Sequence, residues 1–232
     1  MIVTGAEVEV LGLSVRVALA GVGVSLVPGV ACAWVLARGR FPGKVALDAV
    51  VHLPLVVPPV AIGYVLLLVL GRGSALGAFL HGTAGIDVAF TWKAAAIASG
   101  VVGFPLLVRP IRLAMEMVDR DQEESARALG ASRLRVLATI TLPLSMPGVL
   151  AGVVLALARS MGEFGATITF AGNIPGQSRT LPLAIYTQMQ TPDGDAAALR
   201  LVLISVGVSL LALLGAELLG RRMRGGRDRL WA

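Results

Sequence analysis

Long apolar runs broken by short polar stretches set the pattern of this chain, and five of them reach membrane-spanning length: about 12–37, 46–70, 93–115, 144–163 and 198–219. Roughly 20 apolar residues in helical form cross a hydrocarbon core of about 30 Å, so each run predicts a transmembrane helix. Pro54, Pro58 and Pro59 lie inside the second run. They free backbone carbonyls and predict a bend or break there. Gly21, Gly23 and Gly29 in the first run suit close helix packing. The expected fold class is all-α: a polytopic membrane protein of five transmembrane helices, forming a single domain over 1–232.

Composition agrees with the pattern. Hydrophobic residues make up 56% of the chain and charged ones 15%, with a mean hydropathy of +0.83. Soluble domains keep about a quarter of their residues charged. The single cysteine, Cys32, excludes an internal disulfide, and His52 and His81 stand alone, so no metal-ligand cluster is expected. The net charge of +6 is resolved by its placement. Five spans put 14 of the 20 basic residues, from Arg38 and Arg40 through Arg120–Arg135 to Arg221–Arg229, on one side. Arg16, Arg72, Lys93, Arg159, Arg179 and Arg200 fall on the other side or at span edges. Basic loops favour the cytoplasm, so the amino terminus is expected outside and the carboxyl terminus inside. Trp92 and Trp34 fall near opposite interfaces. The stretch "MIVTGAEVEV" lacks the basic region of a cleaved signal. The basic tail "RRMRGGRDRL" reads as an anchor against anionic membrane lipid, and no nucleic-acid module accompanies it.

The polar stretch 116–143, between the third and fourth runs, has a pattern of its own: "EESARALGASRLRVLATITLPLSMPG" covers 123–148. Asp121 to Leu129 favours a helix, with Ala126 and Leu129 on one face. Gly130 suits a left-handed stop, and Ser132 suits the N-cap of a second short helix bearing Leu134, Leu137 and Thr141. Pro143 and Pro147 mark the return to the membrane. From the residues alone, such an elbow either lies on the membrane surface or fits a groove in a partner.

The spacing resembles the EAA loop of bacterial ABC-importer permeases. Glu124, Ser125 and Ala126 are followed four residues later by Gly130, then Ile140, Leu142 and Pro143, with Ser125 replacing an alanine. The resemblance implies that this loop docks into a cytoplasmic ATPase subunit through Glu124, Ser125, Ala126, Gly130, Ala131, Leu134, Ile140, Leu142 and Pro143. "HLPLVVPPVAIGYVLL" (52–67) and "ARSMGEFGATITFAGNIPGQSRTLPLAIYTQMQTPDG" (158–194) are similar to the permeases of bacterial molybdate importers, as are "ARGRFPGK" and "FPLLVRPIRLAME". The family implies a non-catalytic inner-membrane subunit working as a homodimer with two ATPase subunits and a periplasmic molybdate-binding protein. ATP and Mg would be bound by the ATPase, and this chain would hold no cofactor. Sulfate permeases share the EAA loop and remain the alternative, and tungstate resembles molybdate in shape.

A permeating dianion needs donors along its path. Ser160, Thr167, Thr169 and Asn173 offer them near Glu163, whose charge Arg159 can offset from four residues away. These five residues are the candidate path or gate, and the Arg159–Glu163 pair fits either a structural or a gating role. Lys44, Asp48 and His52 form an i, i+4, i+8 stripe that reads as a hydrogen-bonded ladder or a proton relay. Residues 180–190, opening on Thr180 and an early proline, predict a short outer helix. An intramembrane enzyme is disfavoured: there is no G-x-S-x-G, H-E-x-x-H or Walker-type glycine loop. A secondary carrier would be expected to show paired repeats, which were not found.

Overall fold

The computed structural model describes residues 4–228, with side chains described as far as 211 and again at 214 and 215. The side chains of the basic tail lie outside that range. Among the described residues every regular element is helical. α1 (Gly5–Arg38) begins at a capping box, in which Thr4 and Glu7 satisfy each other's backbone N–H groups. At about 1.5 Å per residue its 34 residues extend about 50 Å, longer than the hydrocarbon core.

The second apolar run departs from a simple span. It forms α2 (Lys44–His52), a 3₁₀ turn (Leu53–Leu55) and α3 (Pro59–Leu70), bent by 109°. Proline supplies the cause: Pro54, Pro58 and Pro59 remove three backbone donors around the break. α4 (Ala75–Ala84) follows, opened by Ser74, whose hydroxyl accepts from Gly77 N at 2.9 Å. α5 (Trp92–Glu116) is more enclosed than α1 and carries Pro105 and Pro110 without breaking.

The polar elbow comprises α6 (Arg120–Ala128), α7 (Arg133–Val136), a π-helical turn (Leu137–Thr141) and α8 (Leu142–Leu144). A 72° bend leads into α9 (Met146–Met161). α10 (Gly165–Phe170), α11 (Leu181–Met189) and α12 (Asp195–Asp228) complete the chain. α12 contains the fifth predicted run. α11 starts where Thr180 and Pro182 place it, although the buried Thr180 hydroxyl makes no capping bond.

Glycine lets α1, α5 and α9 meet at backbone distance. A Cβ on Gly21 would stand 2.5 Å from Ala96 O, and one on Gly152 would stand 2.6 Å from Leu107 O. Gly29 abuts Leu107, whereas Gly23 faces open space and takes no part in the packing. Leu36, Leu107, Ile111 and Met115 fill one buried cluster, and Val17, Val102, Ala166 and Phe170 fill another. Polar contacts divide the molecule into two ends. At one, Arg38 meets Glu123; at the other, Ser14 accepts from Leu181 N at 2.7 Å and Arg200 meets Glu7 at 3.1 Å. Among the described residues, Arg38, Arg40, Arg120, Arg127 and Arg133 gather around the first of these ends.

Candidate functional site

The elbow is built around its glycine. Gly130 has φ +89°, a left-handed conformation in which a Cβ is strained. Gly130 N donates to Arg127 O at 2.9 Å and Ala131 N donates to Ala126 O at 3.0 Å. These two bonds form a Schellman motif, which satisfies carbonyls left open at the end of α6. The fixed interval between Ala126, Gly130 and Ala131 thus has a backbone reason. Ser132 then caps α7, accepting from Arg135 N at 3.3 Å.

Among the charged residues that the elbow exposes stand two large apolar side chains. Leu129 is 91% exposed and Leu134 69% exposed, on either side of the glycine turn. Glu124 is exposed on α6, with Arg127 no nearer than 3.8 Å. Ser125 and Pro143 are also exposed, and Ala126 and Ala131 are half-buried. Ile140 and Leu142 turn partly inward, and Leu142 joins the α1–α5–α9 core. The predicted docking set therefore divides into an outward tip and an inward root.

The root is held by a residue that the spacing argument passed over. Glu123 is 6% exposed, and its Oε1 accepts from Arg38 Nε at 3.2 Å, Arg38 Nη2 at 3.0 Å and Thr141 Oγ1 at 2.6 Å. Arg38 Nη2 also donates to Val118 O at 2.9 Å. Thr141 is buried as an anchor and does not extend an apolar stripe. The available signal was the Glu123–Glu124 pair: neighbours on a helix point about 100° apart, so one faces in when the other faces out.

The second constellation lies where α9 gives way to α10. Glu163 is 2% exposed. Its Oε1 accepts from Ala166 N at 2.8 Å, and its Oε2 lies 2.7 Å from Arg159 Nη1 as an ion pair. One carboxylate thereby holds the bend and carries an adjacent countercharge. α10 is pressed against α3, since a Cβ on Gly63 would stand 2.5 Å from Ala166 O. Ser160 and Thr167 are buried; Ser160 Oγ donates to Ser99 O at 3.4 Å, and the Thr167 hydroxyl has no partner. Thr169 Oγ1 donates to Gly165 O. Asn173 lies apart from these four: its amide donates to Thr187 Oγ1 at 2.9 Å and accepts from Arg179 Nε at 2.8 Å, tying the following loop to α11.

In the polar stripe of α2, His52 Nδ1 sits 2.8 Å from Asp48 O, and Arg112 donates to Asp48 Oδ1 at 2.7 Å and to Glu116 at 2.8 Å. The ladder thus continues through Arg112, and among the described residues Lys44 makes no ion pair. At the opposite end Arg16 lies 3.9 Å over the Trp92 ring.

Residues 29–225 match the family model for the binding-protein-dependent transport system inner membrane component. The chain belongs to this family. Among its relatives, the Escherichia coli K12 molybdenum transport system permease protein ModB is 52% identical over 98% of this chain and its own whole length. Its Haemophilus influenzae counterpart is 50% identical over 94% of this chain and 95% of that protein. The Salmonella typhimurium sulfate transport system permease protein CysT is 36% identical over 85% of this chain and 72% of that protein. Solved structures show the same fold. A chain of a bacterial ABC transporter that imports alginate aligns with a TM-score of 0.70 at 18% identity, over 95% of this chain and 80% of that one. A chain of the MetNI methionine ABC transporter aligns at 0.66 and 15%, over 94% of both. This inner-membrane component is accordingly an all-helical, membrane-embedded protein with the ABC-importer permease fold.

Proposed function

We propose that this chain is the permease subunit of an ATP-driven molybdate importer in the bacterial inner membrane. It works as two copies joined to two cytoplasmic ATPase subunits and receives the oxyanion from a periplasmic binding protein. The observation that carries the substrate is the relation to the molybdenum permeases: 52% identity across nearly the whole chain, against 36% to the sulfate permease. The exposed Leu129–Gly130–Leu134 tip, with Glu124 beside it, supports docking to an ATPase cleft. The chain itself is non-catalytic, and ATP and Mg belong to the partner. Its five spans place the amino terminus outside and the carboxyl terminus in the cytoplasm.

The anion path runs past the α9–α10 bend. Glu163, with Arg159 as countercharge, holds the shape of the bend together with Ser160 and Thr167. Thr169 and Asn173 supply polar surface, with low affinity suited to release. Uptake by the full complex in vesicles tests the reading. ATP-dependent molybdate uptake should yield to excess tungstate far more than to excess sulfate. Equal competition by sulfate overturns the substrate assignment, and uptake by this chain without the ATPase would make it a secondary carrier.

A further inference from the structure

A cavity of about 550 Å³ opens between the end of α1 and the inner side of the elbow. Five guanidinium groups line it, from Arg38, Arg40, Arg120, Arg127 and Arg133, against the carboxylates of Glu123 and Glu124, leaving an excess of three positive charges. Glu123 is already engaged by Arg38, and Arg38 Nη1 has no hydrogen-bond partner. The wall is not uniformly polar: Trp34, Val35 and Val136 contribute apolar surface. The exposed tip residues Leu129 and Leu134 are not part of the lining.

We infer that this cavity binds the phosphate headgroup of an anionic phospholipid. The placement follows from α1, an apolar helix of spanning length that ends at Arg38, where the cavity begins. That puts the arginines at headgroup depth and the apolar wall toward the acyl chains. Basic pockets beside the cytoplasmic ends of spans attract such lipids, at about 1 kcal/mol per basic residue. Arginine suits phosphate because its planar fork donates two parallel hydrogen bonds. A lipid held there would brace the elbow against the first span beside the Arg38–Glu123 contact. The inference rests on the proposed orientation, which places this end in the cytoplasm.

The test is native mass spectrometry of the purified complex with phosphatidylglycerol or phosphatidylcholine. Phosphatidylglycerol should be retained in preference. Replacing Arg40, Arg120 and Arg133 together with Gln should weaken its binding about a hundredfold, and Arg40→Gln alone about fivefold. Arg72→Gln, at the other end, should leave it unchanged. Only protein that elutes at a folded size is scored for lipid, with or without its ATPase subunits, which removes misfolded variants, and the single substitution guards against loss of the triple one. Unchanged phosphatidylglycerol binding in both variants overturns the inference. Displacement of the lipid by millimolar inorganic phosphate would make the cavity a free-anion site. A triple variant that keeps the lipid but sheds the ATPase would assign the arginines to an acidic protein surface. Molybdate takes no part in the assay, so failure here leaves the import reading standing, and failure of import leaves this result intact.

Discussion

Arg38 and Glu123 stand 85 residues apart in sequence and 3.0 Å apart in space, so the last turn of the first long helix is bonded directly to the elbow. Both side chains are largely withdrawn from solvent, at 13% and 8% exposure. Removing one member of such a pair strands the other charge and costs about 3–5 kcal/mol. Glu123→Ala should therefore lower the thermal midpoint of the purified complex markedly. Glu124→Ala, one residue on but exposed, should shift it by no more than about 0.5 kcal/mol in equivalent stability. Glu123→Gln keeps an acceptor for Thr141 and should fall between them. A Glu123→Ala midpoint equal to that of Glu124→Ala would show that the contact carries no weight.

The two glutamates should exchange roles when coupling is measured. Leu129→Asp alters only the exposed tip, and Glu124→Lys alters an exposed α6 side chain that also lines the arginine cavity, so the spans should insert and the chain should fold as before. ATP hydrolysis should continue while uptake falls by at least about tenfold, the effect of losing about 1.4 kcal/mol of docking energy. Hydrolysis and uptake are measured together in the same vesicles. Uptake at the wild-type level in both variants would remove the tip from the ATPase interface.

Gly130 separates a backbone requirement from a packing one. A Cβ there meets nothing within 4 Å, yet φ is +89°. Gly130→Ala should then cost about 1–2 kcal/mol through the left-handed conformation alone. Gly130→Asn should cost less, because asparagine tolerates that region. Gly152→Ala is the contrasting case: its Cβ would press on Leu107 O at 2.6 Å, and overpacking of about 1–3 kcal/mol is expected. Thermal midpoints of the variants read both effects. Equal loss for Ala and Asn at position 130 would mean that something other than φ sets the penalty.

Local chemistry was legible wherever one short window contains its own cause. The Gly130 turn, the Ser132 cap, the proline break after Leu55 and the Arg159–Glu163 pair all follow from residues within four or five positions of one another. The size of the break was not legible, because 109° depends on how Gly63 lets α3 lie against α10. Contacts made across the fold escaped for the same reason. Nothing near Arg38 in sequence announces Glu123, and nothing near Ser14 announces Leu181 N. Ser160 and Thr167 show the same limit: they are hydroxyls in a glycine-rich stretch, and their burial is set by tertiary packing that the stretch does not announce.

The sidedness of the chain can be tested at two positions that the fold leaves open. Gly73 lies in the turn between α3 and α4, and an added side chain there meets nothing within 4 Å. Gln122 is exposed on α6. With Cys32 replaced by Ala, Gly73→Cys and Gln122→Cys each give a single thiol whose introduction disturbs no packing contact. The concentration of basic residues on the elbow side predicts Gln122 in the cytoplasm and Gly73 outside. A membrane-impermeant maleimide applied to cells with a permeabilised outer membrane should label Gly73→Cys at once. It should reach Gln122→Cys only after lysis. The reverse pattern would invert the whole chain, putting the elbow and its arginine cavity on the side away from any ATPase.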